Sequence, residues 1–189
     1  DDMTFVDNGL NVITGCATAA HMKQGLHVGV TEFYVKRGAK LTFTMIHNWA
    51  EEMIVRPRSV ARVEEGGLFL SNYICMRPVR SLQMYPTTHL VGRDATAMFY
   101  SVIAGSPGST FDVGGRIYLS EPGTRAEIVT RAISNGGDIL ARGHLIGQKP
   151  GIRAHLECQG LIANGGMIHA IPELEGQVDD VDMSHEAAV

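Results

Sequence analysis

The chain has 189 residues, of which 44% are hydrophobic and 19% charged, and it carries a formal net charge of −4. That is enough apolar material for one domain with a sizeable core. The slight acidity and the lack of a basic block leave no electrostatic footprint for nucleic acid or for an anionic membrane, and no apolar run approaches the length that crosses a bilayer.

No charged-then-apolar leader opens the chain, so a cytoplasmic location is expected rather than secretion. Three cysteines, Cys16, Cys75 and Cys158, are widely spaced and form no C-x-x-C pair. They exclude a zinc knuckle and a thioredoxin-type motif and read as free thiols of a reducing compartment. The sequence starts at Asp1 without an initiator Met and stops at Val189 within an apolar stretch, which reads as a piece of a longer protein forming one domain over 1–189.

Twenty-two glycines and seven prolines cut the sequence into short pieces rich in Val, Ile, Thr, Tyr and Phe. Alternation of apolar and polar residues predicts strands. In chain order these are 28–35, 41–49 and 53–63, 68–76 and 79–90, 95–104 and 110–120, 125–134 and 138–148, 153–163 and 166–175, and a last segment at 181–189. No stretch keeps a 3.6-residue apolar period long enough for a helix.

The turns recur. Turn pairs stand at Gly38-Ala39, Gly66-Gly67, Asp94-Ala95, Gly123-Thr124 and Gly151-Ile152, and their first members lie 28, 28, 29 and 28 residues apart. Continuing the count reaches Asp179 at one end and Gly9 at the other. A fixed period holding two strands indicates a solenoid, in which each unit closes its core only by stacking on the next. An antiparallel β-sandwich with regular turns is the alternative; the constancy of the period favours an all-β, flattened parallel β-helix with about two strands per coil.

At this point the chain resembles the β-helical core of the SufB/SufD family of iron–sulfur cluster assembly proteins, the SufB side more than SufD. The resemblance rests on Leu26-His27 and the strand after it, Gly38-Ala39-Lys40-Leu41 running into Asn48-Trp49, Phe99-Tyr100-Ser101-Val102, and Arg131-Ala132-Ile133-Ser134. Arg142-Gly143, Cys158-Gln159-Gly160-Leu161, Ile171-Pro172 and Ser184-His185-Glu186-Ala187-Ala188-Val189 complete it. It implies a right-handed parallel β-helix in the cytoplasm that acts as a scaffold, not an enzyme. The cargo implied is a transient iron–sulfur cluster, with none tightly bound to the isolated piece. The implied partners are a second SufB- or SufD-type protomer (as homodimer or heterodimer), a sulfur donor protein, and a SufC-type ATPase. The last would bind through a C-terminal helical region that this chain lacks.

Alternation places Ala154, Leu156 and Cys158 on one face, turned inward. A lone inward cysteine is ordinarily a small buried hydrophobe. The resemblance, however, puts Cys158 at the position of the SufB cysteine thought to hold nascent cluster or sulfur, and His185 and Glu186 at the family's motif in the last strand. Some SufB proteins carry Glu-His-Glu there; Ser184 replaces the first carboxylate here. Cys158, His185 and Glu186 are therefore the candidate iron–sulfur, sulfur or iron site. A one-coil register of 28 pairs Cys158 with Glu186, and one of 27 pairs it with His185; spacing alone leaves both open. Thiolates with some imidazole suit iron–sulfur clusters, and a bound metal would expose a nucleophilic thiolate.

Cys75, between Ile74 and Met76, reads as packing, and Cys16, after Gly15, as bordering a turn. The stretch 58–62, where some SufB members carry a further sulfur-accepting cysteine, has none. His155 and His169 read as surface or turn residues, and Trp49 as a packed aromatic whose neighbour Asn48 ties a corner. Two other functions compete with the scaffold. A SufD-like interaction module needs no working cysteine. A β-helical carbohydrate enzyme needs paired carboxylates and aromatic platforms, which 6% aromatics and a single Trp do not favour.

Overall fold

A computed structural model of the chain describes residues 2–5 and 8–16 by their backbone and residues 24–77 and 79–189 in full. The regular elements among these residues are all strands: β1 (Asp2–Phe5), β2 (Asn8–Cys16), β3 (Gln24–Val35), β4 (Lys40–His47), β5 (Glu52–Val63), β6 (Leu68–Cys75), β7 (Ser81–Met84) and β8 (Thr87–Leu90). These are followed by β9 (Thr96–Gly105), β10 (Thr110–Leu119), β11 (Arg125–Ser134), β12 (Asp138–Gly147), β13 (Ile152–Ile162), β14 (Met167–Gly176) and β15 (Val181–Ala188). Strands alternate between two sheets, except that β7 and β8 follow one another in the same sheet, and every described pairing is parallel. One sheet runs β1-β3-β5-β7-β10-β12-β14, with β8 beside β7 between β5 and β10; the other runs β15-β13-β11-β9-β6-β4-β2. This is the expected parallel β-solenoid, of about six coils.

The corners explain the period. Gly38, Gly66, Asp94, Gly123, Gly151 and Asp180 all have positive φ, between 59° and 76°. This left-handed conformation is open to Gly and tolerated by Asp. It turns the chain sharply from one sheet to the other. The corners also stack: the amide of Gly38 donates to the Glu65 carbonyl, Gly66 to Arg93, Asp94 to Pro122 and Gly151 to Asp180. Ion pairs one coil apart add a rim, Lys36 to Glu64 at 3.1 Å and Arg37 to Glu65 at 2.9 Å.

Three local expectations are corrected. Gly9 is no corner; it sits inside β2, where the register slips between Asn8 and Leu10. The last corner is Asp180 rather than Asp179, because the final coil holds one residue more. The stretch 79–90 is two strands rather than one. Pro86 has no N–H for a ladder, and its carbonyl instead accepts from the Arg116 amide at 2.8 Å.

Inside, alternate residues of both sheets meet. Phe33 packs on Phe43 and Phe69 at 4.8 and 5.1 Å, and Phe69 meets Phe99 edge-on at 6.1 Å. Leu41, Leu90, Ile117, Leu145, Ile152 and Leu156 are all at most 1% exposed. Each such side chain contributes about 1.5–3 kcal/mol over an exposed one. Gly143 leaves room for this packing: a Cβ there would stand 2.5 Å from Leu156 Cδ1.

Two corner substitutions separate backbone strain from crowding. Nothing lies within 4 Å of a Cβ at Gly38, whereas one at Gly123 would sit 2.1 Å from Asp94 Oδ1. Gly38→Ala is expected to cost about 1–2 kcal/mol from φ alone. Gly123→Ala should cost at least about 1 kcal/mol more from the added clash. Urea unfolding midpoints of the two variants check the order.

Candidate functional site

Cys158 lies on β13, on the inward parity shared with Ala154 and Leu156, and is 1% exposed within the main core cluster. Its neighbours along the inner ladder are Thr130 on β11 and Ala187 on β15. The same rung continues through Ser101 to Tyr73, so a line of hydroxyl-bearing side chains leads along the solenoid interior to the thiol. The Thr130 hydroxyl is buried with no hydrogen-bond partner among the described residues and borders a cavity of about 20 Å³ shared with Ser71, Tyr73 and Ser101. Sequence reasoning passed over Thr130; the available signal was an inward Thr one period before Cys158.

Burial pushes the Cys158 thiol up to about 11, with Glu157 adding to the rise and Arg131 opposing it. The free chain therefore holds this group as a neutral thiol at neutral pH, and a thiolate there needs a bound cation. On the outer face next door, Glu157 pairs with Arg131 at 2.9 Å.

The register of the last coil differs from both values expected. Residues of β13 pair with those 29 positions later: Leu156 with His185, Glu157 with Glu186, and Cys158 with Ala187. The extra residue before Asp180 sets this offset. His185 shares the inward parity of Cys158 but sits one rung aside, roughly 8 Å away between Cα atoms from strand spacing and rise. Glu186 lies on the opposite face, opposed to Glu157. His185 and Glu186 are both exposed on β15, whose described partner is β13 alone. Among the described residues, no group of three His, Cys, Asp or Glu side chains is arranged to hold a metal. The three candidates thus occupy neighbouring strands without converging.

The other singled-out residues sort as follows. Ser184 Oγ lies 2.9 Å from His155 Nδ1 on the outer face, and His169 is exposed. Cys75 is fully buried, and burial raises its thiol to about 11. Cys16 ends β2, paired with His47; its side chain, like residue 21, lies outside the described residues. Trp49 is 5% exposed, as expected of a packed aromatic, and Asn48 Oδ1 accepts from Arg77 across the corner at 3.2 Å.

Around Trp49 the fold builds a cluster that spacing had not shown. The His27 ring lies 4.4 Å from Trp49, and His47 lies edge-on to Trp49 and Tyr73 at 5.7 and 5.0 Å. His47 Nδ1 and the Tyr73 hydroxyl are 2.8 Å apart. Burial, and then repulsion from His27, pulls His47 down to about 4.

Stacked coils enclosing the thiols of Cys75 and Cys158 define the class: a parallel β-solenoid with its cysteines inside rather than in a surface cleft. The family described as "SUF system FeS cluster assembly, SufBD core domain" matches residues 7–189, and the chain belongs to that family. It is 51% identical over 181 residues to an iron-sulfur cluster assembly SufBD family protein of Archaeoglobus fulgidus, covering 95% of this chain and 48% of that protein. A Methanothermobacter thermautotrophicus (strain Winter) protein of the same description is 48% identical over 182 residues, 95% of this chain and 44% of its own length. One from Staphylococcus epidermidis is 30% identical over 199 residues, 99% of this chain and 41% of that protein. The chain spans somewhat under half the length of these relatives.

Two measurements test the chemistry of the site. A thiol shifted from 9.0 to about 11 holds about a hundredfold less thiolate at neutral pH. Iodoacetamide should therefore modify Cys158 at least about a hundredfold more slowly in the folded chain than in urea, as read by peptide mass mapping. His47, neutral when folded and free to protonate near 6.5 when unfolded, contributes stability that is present above pH 6.5 and lost as pH falls toward 4. The loss should reach up to about 3 kcal/mol in urea titrations, and His47→Gln should flatten that slope.

Proposed function

We propose that this chain is the core of a scaffold in the SUF iron–sulfur cluster assembly machinery, on which nascent clusters are built and passed on. The observation that carries the reading is the thiol of Cys158, which lies one strand from the inward-parity imidazole of His185 in a chain of the SufBD family. Iron–sulfur clusters take thiolates first, and imidazole can replace some of them. Iron binding at Cys158 would displace the proton that burial retains, so the thiol stays inert until loaded. Cys158, His185 and Glu186 do not supply a full ligand set within one chain. The exposed β15 strand leaves His185 and Glu186 open to a second SufB- or SufD-type protomer, whose ligands would complete the set. Such a shared site releases its cargo when the pair shifts.

In this reading the chain works in the cytoplasm with a sulfur donor protein and a SufC-type ATPase that drives the shift. No catalysis is assigned to the chain itself. Among the described residues no helix is long and apolar enough to cross a membrane. The ATPase would engage parts of the longer protein outside this sequence. A SufD-like partner without cluster chemistry is the second reading, favoured by the register that sets Ala187, rather than His185 or Glu186, opposite Cys158.

Anaerobic reconstitution with ferrous iron and sulfide decides between them. Cluster absorption in the visible is expected, and Cys158→Ser should weaken loading by roughly tenfold or more. His185→Ala should cost more than Glu186→Gln, because Glu186 lies on the other face. Equal loading by parent and Cys158→Ser would remove Cys158 from the ligand set, and no cluster under any condition would leave the partner reading standing instead.

A further inference from the structure

The outer face of the sheet that holds β3, β5, β7, β10 and β12 gathers arginines that are scattered in sequence. Arg56, Arg58 and Arg62 project from β5 and Arg116 from β10, all on the outward parity. Arg142 on β12 sits over the Tyr85 ring at 4.5 Å, with Arg116 on the same ring at 5.5 Å. Of these five, only Arg142 has a carboxylate within salt-bridge distance among the described residues, Asp112 at 2.7 Å. Arg56 and Arg58 are pinned in place by neutral acceptors. Arg56 donates to the carbonyls of Val55 and Ser81 and to the Ser81 hydroxyl, and Arg58 donates to the carbonyls of Pro57 and Gln83 and to Gln83 Oε1. Their geometry is fixed while their charge stays uncompensated. The Arg116 side chain hydrogen-bonds that of Tyr85, while its Nε is buried with no hydrogen-bond partner among the described residues.

An apolar strip adjoins this charge. Leu26, Val28 and Val30 on β3 are 65%, 60% and 66% exposed, and they pair with Ile54, Arg56 and Arg58. Fixed arginines and tyrosine beside exposed aliphatics form the composition of a protein interface. A nucleic acid fits less well. Phosphates gain nothing from the aliphatic strip, whereas an amphipathic peptide covers it.

We propose that this face is a docking surface for an acidic, amphipathic protein segment, whose apolar side covers Leu26, Val28 and Val30 and whose carboxylates meet Arg56, Arg58 and Arg116. The reading is independent of the thiol site. Arginine's planar fork suits bidentate pairing with carboxylates. Contacts of this kind strengthen association and weaken with salt.

The test uses the chain and a fluorescent helical peptide of about 18 residues with Leu on one face and Glu beside it. Binding is read by anisotropy at low and high salt. The parent is expected to bind, more weakly as salt rises. Arg56→Glu combined with Arg58→Glu should lose about tenfold or more, and Val28→Asp a similar amount. Arg125→Glu on the other sheet should stay within about twofold. Because these side chains project outward, circular dichroism should show each variant folded. As a measurement free of any substitution, the peptide should protect β3 and β5 amides of the parent from hydrogen exchange. Three results would overturn the proposal: no binding at about millimolar peptide, protection confined to other strands, or tighter binding of a single-stranded oligonucleotide of similar charge.

Discussion

The structure depends on one constraint: the backbone of each coil must hydrogen-bond to the next coil over its whole length. In a parallel ladder this happens only if successive coils are nearly equal in length and turn at the same place. The left-handed residue at each described corner leading from the β3 sheet to the β4 sheet enforces that. Where it is Gly, the turn has no Cβ to crowd; where it is Asp94 or Asp180, a short polar side chain tolerates the same φ. Stacked corner hydrogen bonds from Gly38 to Glu65 and from Gly66 to Arg93 then lock one coil to its neighbour. Inner residues are thereby brought into continuous rungs, and the aromatic column of Phe33, Phe43, Phe69 and Phe99 follows from that alignment.

The same constraint sets the chemistry of Cys158. A rung is shared by residues one coil apart, so the thiol inherits Thr130 on one side and Ala187 on the other. Burial in an apolar interior keeps its proton on. That suits a group that stays unreactive until a cation replaces the proton. The outer faces obey the same geometry with the opposite consequence. There, rungs align charged side chains in water, pairing Lys36 with Glu64 and setting Glu157 beside Glu186. Like charges on one rung repel, and Arg131 partly offsets this by pairing with Glu157.

Much of this architecture was legible in the residues. The recurring Gly or Asp marked five of the six described left-handed corners where the chain passes from the β3 sheet to the β4 sheet, and alternation within each interval marked strand pairs to within a residue or two at most ends. The misses have definite causes. Pro86 broke a strand because a missing N–H matters only once a neighbouring strand asks for it. Gly9 carried the period of a corner but went into a bulge, since a glycine's backbone freedom serves either use. The Trp49 corner, with His47 held neutral against His27, joins three separate coils, and local spacing carries no trace of such a meeting.

The amino-acid order by itself determined that the chain winds, how long each coil is, and that Cys158 faces inward, because these follow from turn chemistry and the two-residue pleat of a strand. The tertiary structure alone decided which residue lies beside which across coils. One added residue before Asp180 moved the last strand by a full position. It placed Ala187, rather than His185 or Glu186, against the thiol. A lateral neighbour depends on the exact length of the loop between two strands, and hydrophobic patterning tolerates a shift there that hydrogen-bond register does not.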